Sequence, residues 1–568
     1  MRTILTSLHS KYIHSSLALP CLASYCGLDC GEMLIREFTV HEPREAVLGR
    51  LLNEEPDVVA FSVYLWNRTE TLALVDALAV ARPELRLILG GPEVSFDGEE
   101  LFARHPGIDG LIHGEGELPL KSLLQAWRQG LEPEAVPRLS LRRGNQVVRA
   151  EDGPVLGSLD DIPSPFQAGL VDLDRGFVYY ETSRGCPYSC IFCMSALDKQ
   201  VRSFSMARIQ SDLRLLMAKE VPKIKLVDRT FNYDSRRARQ IFQFILEHNH
   251  ASHFHFEIGA HLLDPPTLDL LDTVPPGMFQ FEIGVQSTHE ATLSAVGREV
   301  SLNCLEANVR RLQAAGRIHL HLDLVAGLPG ETGQEFLASI DRVAALRPDH
   351  LQIEAVKVLP GSPLRRDAAQ LGLRFDPNPP YTVLATREMP FADLEKLRGI
   401  SRLLDMTWNR GCFDNFLRQF DRTCGSLAEG LQRLQAFWHV QDLFRFPMSR
   451  HDLFLNLERF IRQMWDDPIS QDLLEALAYD YALCERVQPK RPPAFFNVSL
   501  TAAERAWVKD QVARVTTAVR GQGIKLQHFA AIFSCLPEQS GRTLLLFLYK
   551  TRSGEGRTIE VVRQETNE

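Results

Sequence analysis

Phe177-Val-Tyr-Tyr-Glu-Thr-Ser-Arg-Gly-Cys186-Pro-Tyr-Ser-Cys190-Ile-Phe-Cys193 sets an apolar, β-prone run directly before three cysteines. The run reads as a strand, because aromatic and β-branched side chains suit a pleated surface. The cysteines then lie on a tight loop at its C-terminal end. Three thiolates leave one iron of a 4Fe-4S cubane open for an outside ligand. A zinc site or three incidental buried thiols is the competing reading, and zinc usually needs a fourth protein ligand.

Downstream the alternation of strands and helices continues to about Arg365, with KIKLVD, HFHFEIG, FQFEIGVQS, IHLHLDLVAG and HLQIEAVKV as further strands. Six such units predict a partial or complete barrel with its reactive groups at the C-terminal strand ends. Upstream, RTILTSL, LIREFTV, DVVAFSVY, LRLILGG and GLIHG alternate with amphipathic stretches over the first 130 residues, the pattern of a doubly wound parallel sheet. The expected boundaries are residues 1–135 for this sheet, 136–175 for a hairpin around Gly144 and Asn145 with a proline-punctuated linker, and 176–370 for the barrel. Residues 371–568 read as mostly helical, with a Thr501 to Glu504 capping box and a closing hairpin of TLLLFLYK and RTIEVV across Ser553 to Gly556.

A chain of 568 residues is too long for one core, so about three or four domains are expected. Apolar content of 45% and charged content of 24% are ordinary for a soluble globular protein. No stretch is long and apolar enough to span a bilayer and no signal-peptide pattern opens the chain, so neither membrane nor export is expected, and the cytoplasm is. A net charge of −9 gives no broad electrostatic reason to bind nucleic acid. Eleven irregularly spaced cysteines argue for reduced thiols and against a disulfide framework.

The C-x3-C-x-Φ-C loop, with Phe192 as Φ, resembles the radical S-adenosylmethionine (SAM) superfamily. Glu282-Ile-Gly-Val-Gln286-Ser, followed by Arg298, and Asp323-Leu-Val-Ala-Gly-Leu-Pro-Gly-Glu331 resemble the family's fourth and fifth strand motifs. The resemblance implies that Cys186, Cys190 and Cys193 hold the cluster and that SAM chelates its open iron. It implies Gln286, Asp323 and Glu257 at the ribose, Arg298 at the methionine carboxylate, and Phe192, Leu359 and Pro360 near adenine; arginine suits the carboxylate because it can clamp it bidentately. The usual Gly-Gly-Glu segment after the second strand is replaced here by Asp228-Arg-Thr-Phe-Asn232.

In the first domain, Gly90-Gly91 and Gly114-Glu115-Gly116-Glu117 end two strands, at the sheet edge where such folds bind ligands. With Trp66 and Asn67 after the third strand, and a radical domain following, these turns resemble the cobalamin-binding domain of cobalamin-dependent radical SAM enzymes. The Asp-x-His-x-x-Gly motif of other cobalamin proteins is absent, so Trp66, Asn67 or Arg68 is expected beneath the corrin. His9 and His14 suit either cobalamin, substrate or an ordinary loop, while Cys21, Cys26 and Cys30 are expected to be buried core thiols.

The fold class expected is thus α/β: a doubly wound cobalamin-binding domain, a radical SAM (β/α)6 partial barrel and a mostly helical C-terminal domain. The resemblance implies a radical methyltransferase acting on an unactivated carbon of a small molecule or peptide, with a 4Fe-4S cluster, SAM and cobalamin as cofactors and flavodoxin or ferredoxin as electron donor. A cobalamin-dependent radical cyclase or ring-rearranging enzyme is the runner-up, and a non-catalytic iron-sulfur or cobalamin-sensing protein the third reading.

Overall fold

The computed structural model describes residues 1–133, 136–153, 155–536, 539–552 and 556–564. The chain forms two compact units, Met1–Thr332 with Ala355–Phe391, and Gly333–Glu354 with Ala392–Glu568. The first sheet and most of the barrel strands fall in the first of these units.

The first unit opens with a sheet of β1 (Arg2–His9), β2 (Glu32–Thr39), β3 (Val58–Ser62), β4 (Arg86–Gly90), β5 (Gly110–Ile112), β6 (Leu139–Arg143) and β7 (Gln146–Arg149). Its order is β2-β1-β3-β4-β5-β6-β7, with the first five strands parallel. Helices cover both faces, which is why β1 and β3 read as near-continuous apolar runs. β6 and β7 form the hairpin expected around Gly144 and Asn145 and extend the first sheet. They pair antiparallel onto β5, Leu139 against Ile112 and Leu141 against Gly110, because Leu139 and Leu141 bury their side chains in the core of the sheet.

Next come β8 (Val178–Tyr180), β9 (Ser183–Arg184), β10 (Arg202–Ser203), β11 (Lys223–Leu226), β12 (His253–Ile258), β13 (Phe279–Gln286), β14 (His319–Ala326) and β15 (His350–Ala355). β8, β11, β12, β13 and β14 lie side by side in parallel, in that order. Helices alternate with these strands as in the expected (β/α)6 partial barrel. Side chains at a period of two divide the strands into faces. Phe254, Phe256, Phe279 and Phe281 are all wholly buried, the last three meeting Phe242 of the helix Ser235–His248 and Phe254 packing on Phe256 and Phe279, each burial contributing about 1.5–3 kcal/mol. The alternate positions, among them His255, Glu257, Glu282, His321 and Asp323, are polar and belong to the opposite face. After β15 the chain returns to the sheet, the Val356 amide donating to the Ala326 carbonyl at 2.9 Å.

In the second unit the helices Asp414–Cys424, Leu427–Val440, Arg450–Met464 and Ile469–Cys484 bury Trp438, Phe413, Phe416, Phe454 and Phe460. The expected capping box is present, Thr501 and Glu504 each bonding the other's backbone amide. β16 (Arg374–Phe375) and β17 (Val383–Ala385) belong to the first unit, and the chain closes on β18 (Ile524–Leu536), β19 (Gln539–Arg552) and β20 (Arg557–Gln564): the last two pair as the expected hairpin, and β18 adds a third strand that the sequence reading did not give. Phe529, Ala531 and Phe533 bury at a period of two, which makes β18 a strand. The expected turn residues Ser553 to Glu555 lie outside the described residues. No helix among the described residues is long and apolar enough to cross a membrane.

Candidate functional site

The cysteine loop is held by backbone contacts on three sides. The Cys186 amide donates to the Asp198 carbonyl at 2.9 Å, the Ile191 amide to Val296 at 3.0 Å, and the Ile191 carbonyl accepts from Leu364 at 2.9 Å. Gly297 has φ of +67°, and a Cβ there would stand 2.9 Å from the Ser189 carbonyl, so only glycine lets the loop approach this closely. Cys186 and Cys190 are buried and Cys193 half-buried, with all three thiols free. Burial pushes the Cys190 thiol pKa up, against the Arg298 guanidinium, whose Nη1 lies 3.9 Å from Sγ. Among the described residues no three His, Cys, Asp or Glu side chains gather round a single-ion site. Three free thiols on one buried, backbone-braced loop fit the larger iron cubane.

Beside the loop, β13 ends with a break in register at Gly284 and Gln286, and Gln286 takes a φ of +73°, a strained conformation for a residue with a Cβ. A Cβ at Gly284 would meet the Gln286 amide at 2.2 Å, and Arg298 Nη2 donates to the Gly284 carbonyl. Gln286 and Arg298 are therefore brought together next to Cys190. Gln286 Oε1 and Arg298 Nε are buried without a partner among the described residues, which suits them to a polar ligand. Glu257 pairs in register with Glu282 on the neighbouring strand, and Asp323 ion-pairs with His321 at 3.0 Å. Phe192 and Leu359 are both half-buried, and the Ile191–Leu364 bond joins the segments that carry them.

Burial, with Glu282, Asp323 and Asp228 nearby, pushes the Glu257 pKa up to about 7, against the opposing pull of Arg229. The folded chain thus holds a proton that the unfolded chain releases, so Glu257 lowers stability as pH rises from about 4.5 to about 7. Glu257→Gln is expected to remove this slope: thermal midpoints of cofactor-free protein should fall relative to the variant across that window, and parallel curves would refute the assignment.

The Asp228-Arg-Thr-Phe-Asn232 segment braces the strand ends. Asp228 accepts from the Thr182 hydroxyl at 2.6 Å and the Ser183 hydroxyl at 2.5 Å, and Asn232 exchanges two bonds of 2.9 Å with the Gly259 backbone.

A cavity of about 1100 Å³ opens between the C-terminal edge of the first sheet and the barrel, within the first unit. Trp66, Gly90, Gly91, Gly114, Glu115, Gly116 and Glu117 line it from one side, and Tyr179, Arg184, Gly185, Met194 and Arg229 from the other. Trp66 is half-exposed, stacks on Tyr64 at 4.6 Å and donates through Nε1 to the Leu8 carbonyl at 3.1 Å. Gly91 has φ of +103° and lies so near the Val63 backbone that a Cβ would clash at 2.5 Å.

Asn67 departs from its expected place. Its side chain is wholly buried, Oδ1 accepting from the Tyr64 amide at 2.8 Å and Nδ2 donating to the Leu8 carbonyl at 2.9 Å, so it braces the Trp66 loop and does not line the cavity. Arg68 likewise turns to Asp97 at 2.7 Å. The Glu115 and Glu117 carboxylates bind Arg202 and Arg184, leaving the backbone of their turn to face the cavity. His9 bonds Glu37 at 2.9 Å, and His14 bonds Tyr179 at 2.9 Å. Sequence reasoning missed Tyr64, Tyr179 and Arg184, the last two of which lie in the FVYYETSR run just before the first cysteine.

Residues 5–124 match the B12 binding domain model and residues 180–343 the Radical SAM superfamily model. The chain carries a B12 binding domain followed by a Radical SAM domain. Residues 369–529 of this B12-binding radical SAM protein match a further model described as a protein of unknown function, DUF4080. It is similar to the cobalamin-dependent radical SAM methyltransferase TokK of Streptomyces tokunonensis, with 32% identity over 358 residues, 58% of this chain and 51% of that protein. It is also similar to the 2-(S-pantetheinyl)-carbapenam-3-carboxylate methyltransferase of Streptantibioticus cattleyicolor, with 29% identity over 432 residues, 70% of this chain and 60% of that protein. The chain thus matches only part of the length of these curated relatives. A solved structure of the cobalamin-dependent S-adenosylmethionine radical enzyme OxsB with aqua-cobalamin bound superposes with a TM-score of 0.60 at 17% identity, covering 84% of this chain and 80% of that one. At that identity the likeness is one of fold.

Proposed function

We propose that this B12-binding radical SAM protein transfers a methyl group to an unactivated carbon of a small molecule or peptide. The observation that carries the reading is that Gly185 and Met194, which flank the cysteine loop on either side, line one cavity with the glycine turns of the first sheet. When bound, a 4Fe-4S cluster would reduce SAM, and cobalamin would carry the methyl group. Cys186, Cys190 and Cys193 would hold the cluster. Gln286, Arg298, Asp323 and Glu257, with Phe192 and Leu359, would hold SAM, the two orphaned polar atoms of Gln286 and Arg298 gaining partners. Gly90, Gly91, Gly114 and Gly116 would let the corrin approach the backbone, with the flat Trp66 indole against its face. Glu115 and Glu117 would hold the second glycine turn in place. The Trp66–Tyr64 stack and Tyr179 line the same cavity and would help exclude water, which a carbon-radical reaction needs.

The two curated relatives are named as methyltransferases, which favours methyl transfer over ring rearrangement. A cytoplasmic setting and a flavodoxin or ferredoxin donor complete the proposal. The test is anaerobic incubation of reconstituted protein with reductant, methyl-deuterated SAM and a small-molecule extract of cells lacking the gene. 5′-Deoxyadenosine and a deuterated extract component are expected together. 5′-Deoxyadenosine without transferred label would move the assignment to a radical cyclase or ring-rearranging enzyme, and no 5′-deoxyadenosine would end the radical reading.

A further inference from the structure

The second glycine turn of the first sheet and the cysteine loop are joined by a buried ion network. Glu117 lies 2.8 Å from Arg184, which also meets Glu181 at 2.7 Å and Glu115 at 3.6 Å. Glu115 takes both terminal nitrogens of Arg202, which also meets Asp198 at 3.1 Å. Arg184 stands two residues before Cys186, and the backbone carbonyl of Asp198 accepts from the Cys186 amide at 2.9 Å. Gly185, between them, packs so tightly that a Cβ would stand 2.5 Å from the Gln200 carbonyl. The two arginines are therefore attached to the two backbone strands that frame the first cluster cysteine.

We infer that Glu115 and Glu117 are positioning residues that couple a ligand on the glycine turns to the geometry of the cysteine loop. This rests on the reading of those turns as the cobalamin edge. The side chains of Glu117, Arg184 and Arg202 are 6%, 16% and 7% exposed, so a carboxylate that swings away takes one charge partner from a buried guanidinium. Movement of the turn therefore pulls on its arginines. Gly114 holds the turn in the left-handed region, with φ of +78°, and Glu115 follows it directly. Occupation of the turn then biases the loop on which the cluster sits, and linkage makes the effect reciprocal between the two cofactors.

The test measures, in anaerobically reconstituted full-length protein, the dissociation constant of SAM and the electron paramagnetic resonance spectrum of the reduced cluster, each with and without hydroxocobalamin. In the wild type, cobalamin is expected to tighten SAM about fivefold or more and to shift the spectrum. In Glu117→Gln each cofactor still binds alone, the tightening falls below about twofold, and Glu117→Asp restores part of it. If Glu117→Gln fails to fold, Glu115→Gln supplies the same comparison, since Arg202 keeps Asp198. Coupling that persists in both variants, or that is absent from a wild type binding both cofactors, overturns the inference. A wild type that takes up no corrin overturns the cobalamin reading instead.

Discussion

Cys190→Ala protein, reconstituted anaerobically with iron and sulfide, is expected to form 5′-deoxyadenosine only at the protein-free background. With one thiolate gone the cubane loses a corner ligand, and the electron path to SAM goes with it. Cys190 is the sharpest choice because it is buried and lies against Arg298, which in turn bonds Gly284 beside Gln286. Its removal therefore reaches both the cluster and the proposed carboxylate contact. Cys304→Ala is the control: that thiol is exposed and outside the loop, so its loss should leave product formation intact. Product from Cys190→Ala comparable to wild type would mean that the loop is not the electron donor.

Arg184→Met is expected to cost about 3–5 kcal/mol of stability in the first unit, the range for removing one partner from a buried charge network. Burial opposes the Arg184 charge, but Glu181 and Glu117 raise its pKa above the usual arginine value, so it remains the cation that three carboxylates share. Without it Glu115 keeps Arg202, whereas Glu117 and Glu181 lose their arginine. The thermal transition of the first unit should drop by several degrees, with Arg184→Lys recovering part of the loss because lysine restores the charge without the planar fork. An Arg184→Met transition within a degree of wild type would show the network to be dispensable. The same variant also tests the division of labour between the glycine turn and its carboxylates, since it leaves Gly114 and Gly116 untouched.

Much of the candidate site was legible in the chain because its parts are local. A cysteine loop is a contiguous motif, and glycine turns announce themselves where a strand ends. Asn67 shows where such reading stops: an amide next to an exposed indole looks like a ligand contact, and only the fold shows that its nitrogen is spent on the Leu8 carbonyl, far away in sequence. The pairing of Glu115 and Glu117 was equally hidden. Glu115 and its partner Arg202 stand 87 residues apart, and ion pairing between distant residues leaves no periodicity to find. β18 was missed for a different reason: it follows the helix Ala502–Ala518 closely, and a short apolar run there reads as helix or strand alike.

By itself the order of residues determined the α/β class, the three thiols, and the strand ends at which ligands are met, because each is set by local spacing and backbone preference. The tertiary structure alone decided which polar groups keep unpartnered atoms and which are consumed in holding the fold: Gln286 and Arg298 brought together with free atoms, Asn67 and the two glutamates already engaged. The physical reason is that a buried polar group must find a partner, and which partner lies within reach depends on packing between segments the sequence keeps apart.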